Sequence, residues 1–176
     1  MRNVMVSLLA ALLMAGTLVA QQVTKESVAG VSNFSRLETT VACAGATTAE
    51  AVPEIKKMGF ASIINLRQAG EAGANVEQEA AAAQAAGIKF FHVPFNGSSP
   101  DPAVADRFLA AITTPGAEPA FIHCASGNRA AAMWLIKRVA IDHWDVDRAT
   151  SEATALGLTS PALKQFAVEY AQAHTR

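Results

Sequence analysis

Cysteine and charged residues are both scarce in this chain of 176 residues. The two cysteines, Cys43 and Cys124, are too few for a disulfide scaffold. Charged residues make up 16% of the chain, with 14 basic against 15 acidic, so the composition shows no basic surface for nucleic acid or for an anionic membrane. Any recognition of an anion must therefore be local.

The first 20 residues have the layout of a secretory signal peptide. Arg2 precedes an apolar run from Val4 to about Met14, and small residues follow up to Ala20. This run is marginal against the roughly 20 apolar residues that span a bilayer, so we expect cleavage near Ala20 and no uncleaved anchor. The pattern predicts a periplasmic or secreted protein with no membrane attachment after cleavage.

Strand-like and helix-like segments alternate over residues 37–176, which we expect to form one domain, whereas residues 21–36 lack a clear period and are predicted to be a linker. Strands are predicted at 37–42, 60–66, 88–95 and 120–124, and helices at 47–59, 76–87, 102–112, 130–141, 145–157 and from 160 onward. This order predicts a three-layer α/β fold, with a central four- to five-stranded, mostly parallel sheet and helices on both faces.

Local signals predict where several helices begin. Thr47 and Glu50 have the spacing of a capping box. Three further N-caps are predicted at Asp101, Asp145 and Ser160. The stretch 130–141 has Lys137 and Arg138 as its polar positions, which is typical of a central, nearly surrounded helix, and Trp134 is expected to pack there.

The sequence HCASGNR, residues 123–129, joins an apolar strand to this apolar helix. Such a loop lies at the carboxyl end of the sheet, where ligands of α/β folds bind. Its amides, at a helix N-terminus, would bind a tetrahedral anion such as phosphate; they belong to Ala125, Ser126, Gly127, Asn128 and Arg129. The Arg129 side chain would grip two anion oxygens, and the same field would favour a Cys124 thiolate as nucleophile.

This motif, with INLR (64–67) and FHVPF (91–95), resembles the protein tyrosine and dual-specificity phosphatase superfamily over roughly residues 36–158. It is most similar to the small bacterial β-lactamase-hydrolase-like group. The resemblance implies a four-stranded sheet, a cysteinyl-phosphate intermediate, no metal or other cofactor, and a phosphorylated protein or small phosphoester as substrate. By motif position, Cys124 is the nucleophile, Arg129 the phosphate clamp and 125–129 the anion cradle.

Three features depart from the superfamily pattern. Four residues separate Cys124 from Arg129, where most members have five, and Ala130 stands where a serine or threonine helps the thiolate to leave. The general acid is expected in an upstream loop, where Asp101 is the first candidate and Asp106 the second, although Asp101 equally suits a helix N-cap. Lack of a general acid would cost about 10² to 10⁴ in rate.

Two other functions stay open beside phosphatase activity. Rhodanese-like sulfurtransferases also have four residues between cysteine and arginine, and their cysteine carries a persulfide. A third possibility is an exported, non-catalytic pseudophosphatase that binds phosphate or a partner.

Several residues near the motif carry weaker signals. We expect His123 to support the loop and the thiolate through hydrogen bonds, unless the backbone satisfies it within the strand. Arg67 ends a buried strand and either contacts substrate or pairs with Glu71. His92 is expected to pack at the core or its rim.

Cys43 ends the first predicted strand and so would lie near the same sheet edge as Cys124. A disulfide between the two would mask the nucleophile and act as a redox gate. The alternative is that Cys43 is a buried free thiol.

Overall fold

The computed structural model describes residues 22–174, which form a six-stranded mixed sheet with helices on both faces. The strands are β1 (Val23–Lys25), β2 (Ser35–Leu37), β3 (Val41–Ala44), β4 (Ser62–Asn65), β5 (Lys89–His92) and β6 (Ala120–His123). The helices are α1 (Val52–Lys57), α2 (Val76–Ala86), α3 (Pro102–Ile112), α4 (Asn128–Ala140), α5 (Val146–Ala155) and α6 (Pro161–His174), and a 3₁₀ turn, Ala49–Ala51, precedes α1.

The sheet order β1-β2-β3-β6-β4-β5 places β6 in the middle. Strands β3, β6, β4 and β5 are parallel, whereas β1 pairs with β2 and β2 with β3 in antiparallel fashion. The carboxyl ends of the four parallel strands therefore meet at one edge, and the loop after β6 is flanked there by the loops after β3 and β4.

Two hydrophobic cores lie on opposite faces of the sheet, which confirms the predicted three-layer α/β architecture. One core receives α3, α4, α5 and α6, and the other receives α1 and α2. Successive residues of β6 alternate between them, with Ile122 and Cys124 in the first core and Phe121 in the second. Cys124 therefore emerges on the face covered by α4.

The prediction that residues 21–36 form a linker is wrong, because the segment carries β1 and the start of β2. The predicted first strand, 37–42, is also wrong in its bounds, since β2 ends at Leu37 and a turn precedes β3. In that turn Glu38 adopts a left-handed conformation (φ 44°), and the Thr40 amide donates to the Leu37 carbonyl at 2.9 Å. Strands of three residues are too short to show an alternating pattern, so the sequence did not reveal β1 or the start of β2. The sheet has six strands, where four or five were expected.

The predicted capping box at Thr47 and Glu50 does not form. The Thr47 hydroxyl donates to the Gly45 carbonyl at 3.2 Å, and Thr48 precedes the 3₁₀ turn instead. Helix α1 begins only at Val52, with Pro53 in its first turn, as proline requires.

Other helix ends agree with the sequence. Asp101 accepts a hydrogen bond from the Ala103 amide (2.9 Å), and Asp145 accepts one from the Arg148 amide (2.8 Å). Helix α2 ends at Ala86, and Gly87 caps it with a φ of 62°, the left-handed conformation that glycine adopts without strain.

Helix α4 is buried along almost its whole length, as predicted for the central helix. The two charged residues in its last turns are compensated, since Lys137 pairs with Glu118 (3.0 Å) and Arg138 with Glu152 (2.7 Å). Trp134 is fully buried, and the guanidinium of Arg138 stacks on its ring at 4.5 Å. These contacts hold the helix whose first turn carries the candidate site.

Among residues 22–174, no helix combines the length and the apolar character that crossing a bilayer requires. The predicted signal peptide, residues 1–20, lies outside the described residues. Export and periplasmic location therefore stay predictions from the sequence.

Candidate active site

The loop between β6 and α4 turns sharply around Gly127. This residue has φ 97°, a left-handed conformation that strains any residue with a side chain, and it directly precedes α4. Its amide donates to the Cys124 sulfur, with nitrogen and sulfur 3.1 Å apart, and Cys124 is fully buried.

Other amides of the loop have no acceptor among the described residues; they belong to Ala125, Ser126, Asn128 and Arg129. The loop carbonyls are occupied, because Ala125 accepts from the Ala46 amide (3.0 Å) and Ser126 accepts from the Asn33 side chain (3.1 Å). Unbonded amides at the start of a 13-residue helix make an electropositive concavity suited to an anion. The loop thus lies where the sequence predicted it, at the edge of the sheet formed by the carboxyl ends of the parallel strands.

Asn128 has a structural role that the sequence did not reveal. Its side-chain oxygen accepts hydrogen bonds from the backbone amides of Thr159 (2.7 Å) and Ser160 (2.8 Å). These bonds tie the loop to the connection between α5 and α6.

Two backbone carbonyls hold the Arg129 guanidinium in one orientation. They lie just after the neighbouring strands β4 and β5. The Nη1 of Arg129 donates to the carbonyl of Leu66 (3.2 Å) and to that of Phe95 (2.7 Å). Burial acts to lower the pKa of Arg129, but hydrogen bonding to Glu71 and interaction with Cys124 outweigh it and raise that pKa. Arg129 therefore stays charged next to Cys124.

Glu71 makes a bidentate ion pair with Arg129, with oxygen–nitrogen distances of 2.6 and 2.8 Å. It also accepts from Arg67 Nε at 3.3 Å, which confirms the predicted Arg67–Glu71 pair. Hydrogen bonding from Arg129 lowers the pKa of Glu71 to about 2, although partial burial acts in the opposite direction. The contact with Arg129 was missed, because 58 residues separate the partners and no local pattern links them.

His123 faces the sheet side opposite Cys124, next to a buried carboxylate. Its Nε2 lies 2.8 Å from Glu79 Oε1, although the ring is not oriented for a regular hydrogen bond. Glu79 also accepts from the side chain of Asn65 (2.7 Å), which is the register partner of His123 on β4. The prediction that His123 supports the loop stays a prediction, and Glu79, a lone acid in an alanine-rich helix, was missed.

The cavity in front of Arg129 has a volume of about 360 Å³ and is lined mainly by neutral polar side chains. Its lining includes Gln68, Glu71, Asn96, Ser98, Ser126 and Arg129. Among the described residues that line it, Glu71 is the one acid, and it is already paired.

Neither candidate general acid lines this cavity. Asp101 caps α3 and lies in an adjoining depression of about 430 Å³, together with His92 and Arg107. Asp106 accepts a hydrogen bond from the Tyr170 hydroxyl instead. The catalytic role of Asp101 therefore stays a prediction, since the geometry shows its capping role.

Both cysteines are free and buried, so the structure does not contain the hypothesised disulfide. Cys43 lies on β3 opposite Ile122 of β6. Burial, followed by the proximity of Cys124, raises the pKa of Cys43 well above its ordinary value. Cys43 is thus a neutral thiol near Cys124.

His92 is exposed on β5 and does not pack into the core, but one of its ring nitrogens lies 2.8 Å from the Arg67 carbonyl oxygen. Position 130 is a fully buried alanine, which has no hydroxyl to offer a neighbouring sulfur.

Comparison with known proteins identifies the family. Residues 33–141 match the model of the phosphatase-like domain of beta-lactamase hydrolase-like proteins. The chain belongs to this family. The phosphatase-like domain thus includes the whole cysteine–arginine loop and the strands that hold it.

Curated relatives of this phosphatase-like domain are much longer than the chain. A beta-lactamase hydrolase-like protein of Xylella fastidiosa is 40% identical over 88 residues, and one of Agrobacterium fabrum is 34% identical over 89 residues. The matches cover 47% and 48% of this chain but only 20% of each relative.

Solved structures share the fold at low sequence identity. A DUF442 protein of Shewanella putrefaciens CN-32 has a TM-score of 0.69 and 17% identity, covering 84% of this chain and 96% of that chain. The catalytic core of the PP-IP phosphatase SIW14 of S. cerevisiae has a TM-score of 0.63 and 19% identity, with coverages of 82% and 88%. TpbA of P. aeruginosa has a TM-score of 0.59 and 18% identity, with coverages of 84% and 91%.

The Glu71–Arg129 pair predicts an acid-sensitive contribution to stability. The pKa of Glu71 in the folded protein, about 2, is below the ordinary 4.5, so the contribution is full above about pH 5 and is lost as the pH falls towards 2. We expect Glu71→Gln to lower the free energy of unfolding at pH 7 by up to about 3 kcal/mol and to flatten its acid dependence. Urea unfolding between pH 2 and 7 measures both; Glu77→Gln, at an exposed position, is the control. Parallel curves for wild type and Glu71→Gln would contradict this account.

The buried Glu79 predicts a second cost of mutation. Glu79→Ala leaves the Asn65 side-chain amide and the His123 ring without their partner, so we expect the free energy of unfolding to fall by about 3 kcal/mol. Urea unfolding at pH 7 tests this, with Glu77→Ala as the matched change on the exposed face of the same helix. A loss no larger than that of the control would show that the cluster does not stabilise the two strand ends.

Proposed function

We propose that the protein is a cysteine-dependent phosphatase that hydrolyses phosphomonoesters through a cysteinyl-phosphate intermediate. The observation that carries the proposal is the hydrogen bond from the Gly127 amide to the Cys124 sulfur, in a loop whose other amides are unbonded and whose arginine is pre-oriented. Family membership supports a phosphatase-like chemistry. A structure of a TpbA variant in complex with pTyr supports a phosphoester as ligand of this fold.

In the first step, the Cys124 thiolate attacks phosphorus and the bond from phosphorus to the ester oxygen breaks. The loop amides and Arg129 bind the non-bridging oxygens, whose charge they stabilise most in the transition state. The alkoxide leaves with the bonding electron pair and takes a proton. We propose Asp101 as the donor, because its depression adjoins the cavity through Gln68 and Asn96.

In the second step, water attacks the phosphorus of the cysteinyl phosphate. The sulfur–phosphorus bond breaks, the thiolate is restored, and inorganic phosphate is released. The amide of Gly127 stabilises the departing sulfur anion, a task that no hydroxyl at position 130 can share. This step is therefore expected to be slow.

Sulfur transfer is a second candidate because the only acid lining the cavity, among the described residues, is already paired. Cys124 would attack the outer sulfur of thiosulfate, and sulfite would leave without needing a proton. Cyanide would then take the sulfur as thiocyanate and restore the thiolate.

A paired assay decides between the candidate functions. We expect the purified protein to release phosphate from aryl phosphate, and Cys124→Ser to lose more than 10³ of that rate, since the nucleophile is removed. Cys43→Ser is the matched control and should retain activity. Cys124-dependent thiocyanate formation without phosphate release would favour sulfur transfer, and the absence of both activities would favour a pseudophosphatase.

The proposed acid role of Asp101 has its own signature. Asp101→Asn keeps a side-chain oxygen for the N-cap, but cannot donate a carboxyl proton. We expect kcat to fall about 10²-fold for phenyl phosphate and much less for 4-nitrophenyl phosphate, whose leaving group needs little protonation. Equal losses for the two esters would assign Asp101 to capping alone.

A further inference from the structure

A second cavity, which we call the hairpin cavity, adjoins the anion site. It has a volume of about 620 Å³ and lies between the β1–β2 hairpin and the α5–α6 connection. Its lining includes Lys25, Val31, Phe34, Ser126, Asn128 and Thr159. We propose that the hairpin cavity binds the organic part of a bulky phosphoester that carries a single phosphate, an inference that rests on the proposed function.

The position of the cavity supports this role. The hairpin cavity and the cavity in front of Arg129 share Ser126 and Asn128, both in the predicted anion cradle. Asn33, which also lines the hairpin cavity, donates to the Ser126 carbonyl at 3.1 Å. A substrate with its phosphate on the loop therefore has its remaining atoms beside the hairpin.

The cavity is formed largely by parts of the chain that lie outside the family match. The match covers residues 33–141, whereas one wall of the cavity comes from residues 25–31 and another from residues 156–159. Its volume is within the range of about 300–1,000 Å³ that is typical of ligand sites. The hairpin thus adds a site of ligand size to the family core.

The charges around both cavities define the class of ligand. Lys25 is the single basic residue lining the hairpin cavity within the described chain, and Glu26 beside it offsets its charge. Arg129, in the other cavity, is already paired with Glu71. A polyphosphorylated ligand would leave most of its charge uncompensated here, which is costly.

The remaining lining favours an organic group with both apolar and hydrogen-bonding parts. Val28 and Val31 supply apolar surface, while Ser27 and Thr159 supply hydroxyls. A phosphorylated aromatic group that continues into a short, uncharged peptide has this composition. Inositol hexakisphosphate does not, since it carries six phosphates and no apolar face.

The test compares two esters with chemically similar leaving groups. Phenyl phosphate and a phosphotyrosyl peptide with uncharged neighbours both release a phenol, so their difference in kcat/KM reports binding of the rest of the peptide. We expect the peptide to be at least about tenfold better, a gain of about 1.4 kcal/mol, and inositol hexakisphosphate to be hydrolysed more slowly than either.

A filling variant locates that gain in the hairpin cavity. Ser27 is exposed and lines the cavity, so Ser27→Trp should remove the tenfold advantage of the peptide while changing phenyl phosphate hydrolysis much less. Thr39→Trp adds the same bulk at an exposed turn outside the cavity and is the control, with both rates unchanged. Equal rates for the two esters in wild type, equal slowing of both in Ser27→Trp, or preference for the hexakisphosphate would overturn the proposal.

Failure of the proposed function is distinguishable from failure of this inference. If wild type hydrolyses no ester, the phosphatase proposal fails, and equilibrium binding of the peptide to Cys124→Ser protein tests the cavity by itself. Binding that Ser27→Trp weakens and Thr39→Trp does not would still support the hairpin cavity. Absent binding, or equal binding to all variants, would overturn it.

Discussion

A left-handed glycine allows the chain to pass from a buried strand into a buried helix within four residues. At Gly127 the backbone reverses so sharply that its amide reaches back to the sulfur of Cys124, the first residue after the strand. The same reversal leaves the neighbouring amides, at the positive end of α4, without acceptors among residues 22–174. One backbone constraint therefore positions both Cys124 and the loop that we propose as an anion cradle.

The turn holds the loop in a fixed geometry only if helix α4 and Arg129 are themselves fixed. Burial of α4 and the ion pair between Arg138 and Glu152 fix the helix, and Asn128 ties its first turn to the α5–α6 connection. Arg129 is oriented by two carbonyls and by the carboxylate of Glu71. An arginine oriented before binding loses little conformational entropy when an anion arrives. The same ion pair lowers the pKa of Glu71. The fixed orientation of Arg129 and the pH dependence of stability therefore have the same cause.

Different groups of polar residues lie on the two faces of the sheet. The face covered by α4 carries Cys124, while the opposite face carries His123, Asn65 and the buried Glu79 behind the ends of two neighbouring strands. Strand β1, which lies outside the family match, forms a hairpin with β2, and this hairpin lines the hairpin cavity beside the Cys124–Arg129 loop. Cys124, the buried Glu79 cluster and the proposed substrate site thus belong to different parts of one small domain.

The sequence by itself determined the alternation of strands and helices, the central helix and the loop that carries Cys124 and Arg129, because these depend on local periodicity, glycine and N-cap chemistry. Residues 21–36 were misread because strands of three residues have no legible period and exist only by pairing with their neighbours. Only the tertiary structure brought Glu71 to Arg129 and Glu79 to His123, since charge pairing across 58 and 44 residues has no local signature. It also assigned Asp101 a capping bond that spacing alone left ambiguous, because the position of a carboxylate relative to a cavity depends on how separate elements pack.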